Sequence, residues 1–207
     1  MTARRLYGYA IAMAVVAVAA VGVVACSTES EPPPSGRSIT RVAEPEDVID
    51  EELMIALAQA KNFHAKAKVY LSDGNLGEAA NQMRAILAIP FPPDAPEGDD
   101  VRLDARAMLA KVLVADGKVD EAMTVVDQGI GGARRDSFFL ANLYTVKGEV
   151  HRARATALAA VAGTDPARIV EEKKAAITAF DKSITIENAL RDQLRQERAR
   201  RAREGGQ

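Results

Sequence analysis

The sequence predicts an all-α fold, in which helical hairpins stack side by side as a solenoid and a long C-terminal helix follows. A heptapeptide at 116–122 (DGKVDEA) has a near copy at 73–79 (DGNLGEA) and a weaker one at 147–153 (KGEVHRA). Apolar residues recur every three or four positions on both sides of each copy, which is the helical period. Hydrophobic residues make up 48% of the chain but aromatic residues only 4%, a composition that suits closely packed helices better than a β-sandwich.

Each heptapeptide is predicted to form the turn of a helical hairpin. Its glycine can take the left-handed conformation that ends one helix. An acidic residue soon afterwards favours the positive end of the next helix, and a small alanine lets the two helices approach closely. The predicted turn residues are Gly74 with Ala79, Gly117 with Ala122, and Gly148 with Ala153.

The N-terminal segment predicts a cleaved leader followed by a lipid anchor. A basic pair precedes the apolar run 11–24, which is too short for a comfortable membrane span and typical of a signal-peptide core. Residues 23–27 read Val-Val-Ala-Cys-Ser and resemble the lipobox of bacterial lipoproteins. The resemblance implies removal of residues 1–25 by cleavage between Ala25 and Cys26, with lipid, including palmitate, on Cys26. The alternative is an uncleaved inner-membrane anchor.

The chain contains one cysteine, Cys26, which excludes an intrachain disulfide and a cysteine-based zinc site. Residues 26–47 are rich in Pro, Ser, Glu and Gly, which predicts a disordered tether. Ser27 after the cysteine resembles lipoproteins that are sent to the outer membrane of a Gram-negative cell. We therefore expect the periplasmic face of the bacterial outer membrane, with the inner membrane or the cell surface as alternatives.

The rest of the chain predicts helical repeats over 48–163 and, over 164–207, a long capping helix with a basic disordered tail. Residues 90–100 are proline-rich and predict a loop whose last residue, Asp100, caps the next helix. Asp136 or Ser137 is expected to cap the fifth helix. The predicted helices, in chain order, are 48–71, 76–89, 101–115, 119–130, 138–147, 149–161 and 167–200.

The spacing around the three turns resembles the tetratricopeptide repeat, whose period is about 34 residues. The matching positions of the first unit are Ala67, Tyr70, Gly74, Leu76, Ala79, Met83 and Ile86. Those of the second are Leu109, Ala110, Leu113, Gly117, Val119, Ala122, Val126 and Gly129. Those of the third are Leu140, Ala141, Tyr144, Gly148, Val150, Ala153, Ala157 and Ala160. The same pattern would also build a plain bundle of helical hairpins.

In that family the first helices of the units line a concave groove that binds peptides or protein segments. The resemblance implies groove positions on the first helices of this chain. The candidates are Asn62, Lys66, Arg106, Lys111 and Asn142.

No sequence motif predicts catalysis or a cofactor. His64 and His151 each lack a second histidine at helical spacing and lie in no metal or triad motif. Residues 129–132 are glycine-rich but lack the Lys-Ser/Thr of a phosphate loop. A formal net charge of −2 argues against nucleic acid as the main partner. We expect no catalytic residue, metal site, cofactor or small-molecule substrate.

These features predict a lipid-anchored periplasmic adaptor that binds another envelope protein or peptide segment, in the assembly of an outer-membrane or cell-envelope complex. One alternative is a passive structural lipoprotein that self-associates through the long helix at 177–194. Another is a regulatory subunit of a cell-wall enzyme. The arginine-rich end of the last helix suits the helix dipole, and contact with anionic lipid or an acidic partner is a second interpretation.

Replacing the lipobox cysteine tests the anchor. We expect the Cys26→Ala chain, expressed in the cells that produce it and freed of its leader, to be absent from the membrane fraction, because the acyl chains supply the membrane affinity at about 0.8 kcal/mol per buried methylene. The measurement is fractionation followed by intact-mass analysis. A leader-free Cys26→Ala chain that stayed with membranes would contradict the lipid anchor.

Overall fold

The computed structural model describes residues 50–204, and within that range the chain is all-α, as the sequence predicts. The predicted leader, cleavage site, lipidated cysteine and tether lie outside the described residues. No helix between residues 50 and 204 has both the length and the apolarity to cross a membrane. The six helices are α1 (Glu51–Ser72), α2 (Leu76–Leu87), α3 (Pro96–Ala115), α4 (Val119–Gly132), α5 (Phe138–Ala159) and α6 (Pro166–Glu204).

Three glycines with positive φ separate the helices into antiparallel pairs. Gly74 (φ 72°) lies between α1 and α2, Gly117 (φ 75°) between α3 and α4, and Gly163 (φ 79°) between α5 and α6. Such φ values are strained for residues with a β-carbon, so glycine is required at these turns. Ala79 and Ala122, the small residues after the first two turns, are fully buried. They lie where each hairpin's helices meet.

The third predicted turn, at Gly148, is wrong. Residues 138–159 form one continuous helix, α5, and not the predicted pair 138–147 and 149–161. Gly148 is buried within it, where a β-carbon would lie 2.5 Å from Phe180 Cε1 of α6. Glycine is present because two helices come into close contact, not because the chain turns. Ala153 is likewise a half-buried residue in the interior of α5.

The predicted loop 90–100 is also too long, because α3 begins at Pro96 and not at residue 101. Proline at the first helical position fits without strain, since that residue has no helical acceptor for an N–H. Asp100 therefore lies inside α3 and does not cap it. At α5 the cap is Ser137, not Asp136, and its Oγ accepts a hydrogen bond from the Leu140 N–H at 3.1 Å.

The last helix continues to Glu204, so the prediction of a basic disordered tail is wrong for residues 201–204. An ion pair one turn apart supports this end, with Arg200 Nε 2.9 Å from Glu204 Oε1. At the start of the first helix, Asp50 Oδ1 accepts hydrogen bonds from the Glu52 and Leu53 N–H groups and caps α1. The predicted start of that helix at residue 48 lies outside the described residues.

The core is built largely from small side chains at the helix contacts, with a few large ones between them. Each helix packs against the next in the chain, and the first helices of the pairs are neighbours, α1 with α3 and α3 with α5. The buried small residues include Ala60, Ala67, Ala79, Ala107, Ala110, Ala122, Ala141, Ala176 and Ala179. The largest fully buried side chains are Met83, Leu109, Leu113, Leu143, Val112, Val126, Val146, Val150 and Ile186. This core is continuous from α1 to α6.

Hydrogen bonds hold the long pair α5–α6 in register. The buried Ser183 hydroxyl donates to the Ala141 carbonyl at 2.7 Å and lies 2.9 Å from Thr145 Oγ1. One end of the same interface places His151 Nδ1 2.6 Å from Glu172 Oε2. Polar groups in a core are tolerated when they are hydrogen-bonded, and they oppose sliding of one helix along the other.

The close contact at residue 148 generates a stability prediction. We expect Gly148→Ala to lower the free energy of unfolding by about 1–2 kcal/mol, because overpacking costs about 1–3 kcal/mol and improved helix propensity offsets part of it. Urea unfolding measures the change. Gly131→Ala is the matched control, since that glycine is also helical and a β-carbon there meets nothing within 4 Å. An unfolding midpoint for Gly148→Ala at or above that of Gly131→Ala would contradict the close contact.

Candidate protein-docking surface

The alternating helix directions bring the starts of α1, α3 and α5 to one end of the body, together with the C-terminal half of α6. Leu57 of α1, Val101 of α3 and Phe139 of α5 line one pocket at this end. Asp100 of α3 and Leu194 of α6 line a second pocket, to which Phe139 also contributes. The two pockets are therefore adjacent, with one phenylalanine between them.

The first pocket has a volume of about 220 Å³ and an apolar floor, with polar groups at its rim. Its lining comprises Leu57, Ala60, Lys61, His64, Met83, Ile86, Val101, Asp104, Ala105 and Phe139. The half-buried His64 places Nε2 3.1 Å from Met108 Sδ of α3. Thioether sulfur is a weak acceptor, so a stronger acceptor can replace Met108 as the hydrogen-bond partner of the His64 ring.

The second pocket, also about 220 Å³, carries exposed aromatic and aliphatic side chains. Phe138 is 54% exposed, Phe139 40% and Leu194 42%. Single exposed apolar residues are ordinary on a protein surface, but contiguous ones mark interaction sites. We name these three residues, together with the half-buried Leu190 beside them, the phenylalanine surface.

A half-buried carboxylate, Asp100, lies beside the phenylalanine surface. Asp100 Oδ2 accepts a hydrogen bond from Arg135 Nη2 at 2.5 Å, and this ion pair ties the start of α3 to the segment before α5. Asp100 Oδ1 is buried and has no hydrogen-bond partner among residues 50–204. An unsatisfied buried acceptor is costly and uncommon in folded proteins.

The predicted groove residues do not converge on one site. Asn62 and Lys66 are exposed on α1, and Lys66 Nζ lies 5.7 Å from the centre of the Phe63 ring. Neither residue lines the two pockets at the end of the body. Asn142 is half-buried on α5, one turn from Phe139.

The other two groove candidates lie on different faces of α3. Arg106 packs toward α4, since a β-carbon at Gly129 would lie 2.8 Å from its Cδ. Burial, and then the neighbouring charge of Arg102, lowers the pKa of Arg106 below its ordinary value. Lys111 lines a separate hollow between α3 and α5 and pairs with Glu149 at 3.6 Å.

The sequence analysis did not identify Phe138 and Phe139 as surface residues, although a signal was present. Consecutive residues of a helix point about 100° apart, so two adjacent large side chains in the first turn are poorly placed to share one buried face. The chain has five phenylalanines, and two of them stand side by side after a helix cap.

Residues 50–204 contain no group of three His, Cys, Asp or Glu side chains arranged to hold a metal ion. Comparison with protein-family models, curated proteins and solved structures finds no match to this chain.

A substitution at Phe138 tests whether its ring belongs to the exposed apolar patch or to the core. We expect Phe138→Ala to change the free energy of unfolding by less than about 1 kcal/mol, since truncating an exposed side chain leaves no cavity. Binding of the fluorescent dye ANS should fall, because an apolar patch is lost. Leu143→Ala, at a fully buried position of the same helix, is the comparison and should cost about 2–5 kcal/mol. A cost for Phe138→Ala close to that of Leu143→Ala would show that this ring belongs to the core.

Proposed function

We propose that this protein is a lipid-anchored periplasmic adaptor of the bacterial outer membrane, whose helical body binds another envelope protein. The exposed phenylalanine surface is the observation that carries the proposal. The lipobox-like segment ending in Cys26 supports the anchor, and the low-complexity residues 26–47 support a tether between the anchor and the body. Partner binding then contributes to assembling a cell-envelope complex.

We further propose that the body is a tetratricopeptide-like solenoid. Three helical pairs, each turned at a glycine with positive φ, support it, as do the neighbouring first helices α1, α3 and α5. In such an arrangement each hairpin covers the apolar face that its neighbour leaves open. The third unit consists of α5 and the first part of α6, and the rest of α6 extends beyond the unit.

The docked segment carries an apolar side chain that covers Phe138 and Phe139 and a hydrogen-bond donor for the accessible side of the Asp100 carboxylate, which lines the second pocket. Aromatic residues in well-packed contacts dominate binding energy, and truncating such an anchor costs about 2 kcal/mol or more. A backbone N–H or a lysine or arginine of the partner supplies the donor. His64, in the adjacent pocket, offers a second polar contact.

The anchor also increases the effective concentration of the body at the membrane. A short flexible tether confines a binding module to an effective concentration in the millimolar range near its attachment point. A surface of modest intrinsic affinity therefore suffices to engage a partner in the same membrane. Because tethering lowers the intrinsic affinity that is needed, a small docking surface is sufficient and a large preformed interface is not required.

Crosslinking in cells tests the docking surface. A photoreactive phenylalanine analogue replaces Phe139 in the full-length chain, expressed in the cells that produce it. We expect one envelope protein to be crosslinked reproducibly and identified by mass spectrometry, and we expect Phe138→Ala to lower its yield about tenfold or more, since aromatic anchors dominate affinity.

The matched control carries the same analogue at Val161, an exposed apolar residue at the opposite end of the body. That position should not capture the same partner. Equal capture from both positions, adducts with lipid alone, or adducts with a second copy of this chain would each overturn the proposal that the phenylalanine surface binds an envelope protein.

A further inference from the structure

The outward face of α6 carries a stripe of exposed β-branched residues. Val170 is 48% exposed, Ile177 60% and Ile184 53%. They are spaced seven residues apart, so at about 100° per residue they fall within about 40° of arc on the helix surface. The residues that α6 buries against the body, Ala176, Ala179, Ser183 and Ile186, lie on another side of the helix. We name Val170, Ile177 and Ile184 the α6 stripe.

Seven-residue spacing of β-branched residues is the pattern by which helices pair along a shared seam. Scattered exposed apolar residues need no explanation, but three in register along one helix form a continuous ridge. Ser183 and Gly148 fix the orientation of α6 on α5, so the stripe has no route into the core of its own chain. Among residues 50–204 the stripe remains exposed to solvent.

The charges beside the α6 stripe are complementary to those beside the same stripe on a second copy of the chain. Lys174 and Asp181, both exposed, lie one on each side of Ile177 along the same edge of the stripe. If a second copy packs antiparallel with Ile177 on the two-fold axis, Val170 faces Ile184 of that copy, and Lys174 lies close to its Asp181. The symmetry repeats each contact, which is the self-complementary arrangement of a two-fold interface.

A parallel pair would place the Lys174 residues of the two copies, and likewise their Asp181 residues, on opposite edges of the seam, so neither charge would meet the other. Opposite charges that meet across a helix seam set register and orientation. The charge pattern thus distinguishes the two orientations, and it favours the antiparallel one. We propose that the protein forms a homodimer in which the α6 stripes of two copies pack antiparallel about Ile177.

This inference stands apart from the proposed function, because the α6 stripe and the phenylalanine surface share no residue. A monomeric adaptor and a dimer that binds no envelope protein are both physically consistent outcomes. The dimer therefore adds a second surface to the body. A seam of three apolar side chains per copy buries a small area, so we expect association in the micromolar range and not an obligate dimer.

Cysteine crosslinking tests the register. The protein is produced from Ser27 to Gln207, which omits the leader and the native cysteine and retains the continuous core. Under mild oxidation, Ile177→Cys should form a covalent dimer by itself. Val170→Cys and Ile184→Cys should each remain largely monomeric alone and form a heterodimer when mixed. Val69→Cys, at an exposed apolar residue of α1, sets the background.

Self-crosslinking at all three stripe positions, with no gain on mixing, would show a parallel pair and overturn the proposed register. Crosslinking at Ile177→Cys no greater than at Val69→Cys would overturn the dimer itself. The proposal would also be overturned if a different protein bound the α6 stripe and no dimer formed at any concentration.

Sedimentation velocity over a concentration series independently measures the dissociation constant of the reversible dimer. Ile177→Lys should raise the dissociation constant at least tenfold, and Val69→Lys should leave it unchanged. Lys174→Asp and Asp181→Lys should each weaken association, and the double exchange should restore it, because opposite charges again face each other across the seam. If the double exchange did not restore the affinity of self-association that each single substitution lowers, the antiparallel arrangement would be overturned.

Discussion

Close approach of helices through small residues is the constraint on which the rest of the structure depends. The helix contacts are made by alanines, and at two positions by glycines that admit a side chain from a neighbouring helix: Gly148 admits the ring of Phe180, and Gly129 admits Leu143. Small contact residues shorten the distance between helix axes. The phenylalanines divide accordingly, since Phe91 is buried and Phe180 packs against Gly148, whereas Phe138 and Phe139 are exposed.

The same constraint explains which parts of the fold are predictable from the sequence. The turns at Gly74 and Gly117 follow from local chemistry, since an aspartate precedes each glycine and a helix of strong apolar period follows. The segment around Gly148 has a similar pattern but a lysine before the glycine, and its role depends on Phe180, which is distant in sequence. Local periodicity cannot distinguish a glycine that turns the chain from one that admits a ring, because that difference is a tertiary contact.

The docking surface could be predicted only in part, for a related reason. The family resemblance indicates that the first helices carry binding residues, but five positions selected by spacing fall on different faces of α1, α3 and α5. Arg106, for example, packs toward α4 because Gly129 leaves space for its side chain. Which face of a helix remains open depends on what the neighbouring helices cover, and exposure of Phe138 becomes evident only when the ends of α3, α5 and α6 are placed together.

The two exposed apolar surfaces have different relations to the body. The phenylalanine surface combines the start of α5 with residues 190–194 of α6, so its shape depends on how far α6 extends along α5. The α6 stripe lies along one helix and depends only on how α6 is rotated on α5, which Ser183 fixes through its hydrogen bond to the Ala141 carbonyl. Both surfaces are carried by the α5–α6 pair, but they share no residue, so substitutions can alter one without touching the other.

The alternating helix directions also have a mechanical consequence. Asp50 and Glu204 lie at one end of the body, and the turns at Gly74, Gly117 and Gly163 lie at the other. Tension between those two residues pulls α6 away from α5 starting at its free end, so the contacts break one helical turn at a time and not all together. When Asp50 and Glu204 are pulled apart, the body therefore unfolds at low force, and the distance between these two residues increases gradually.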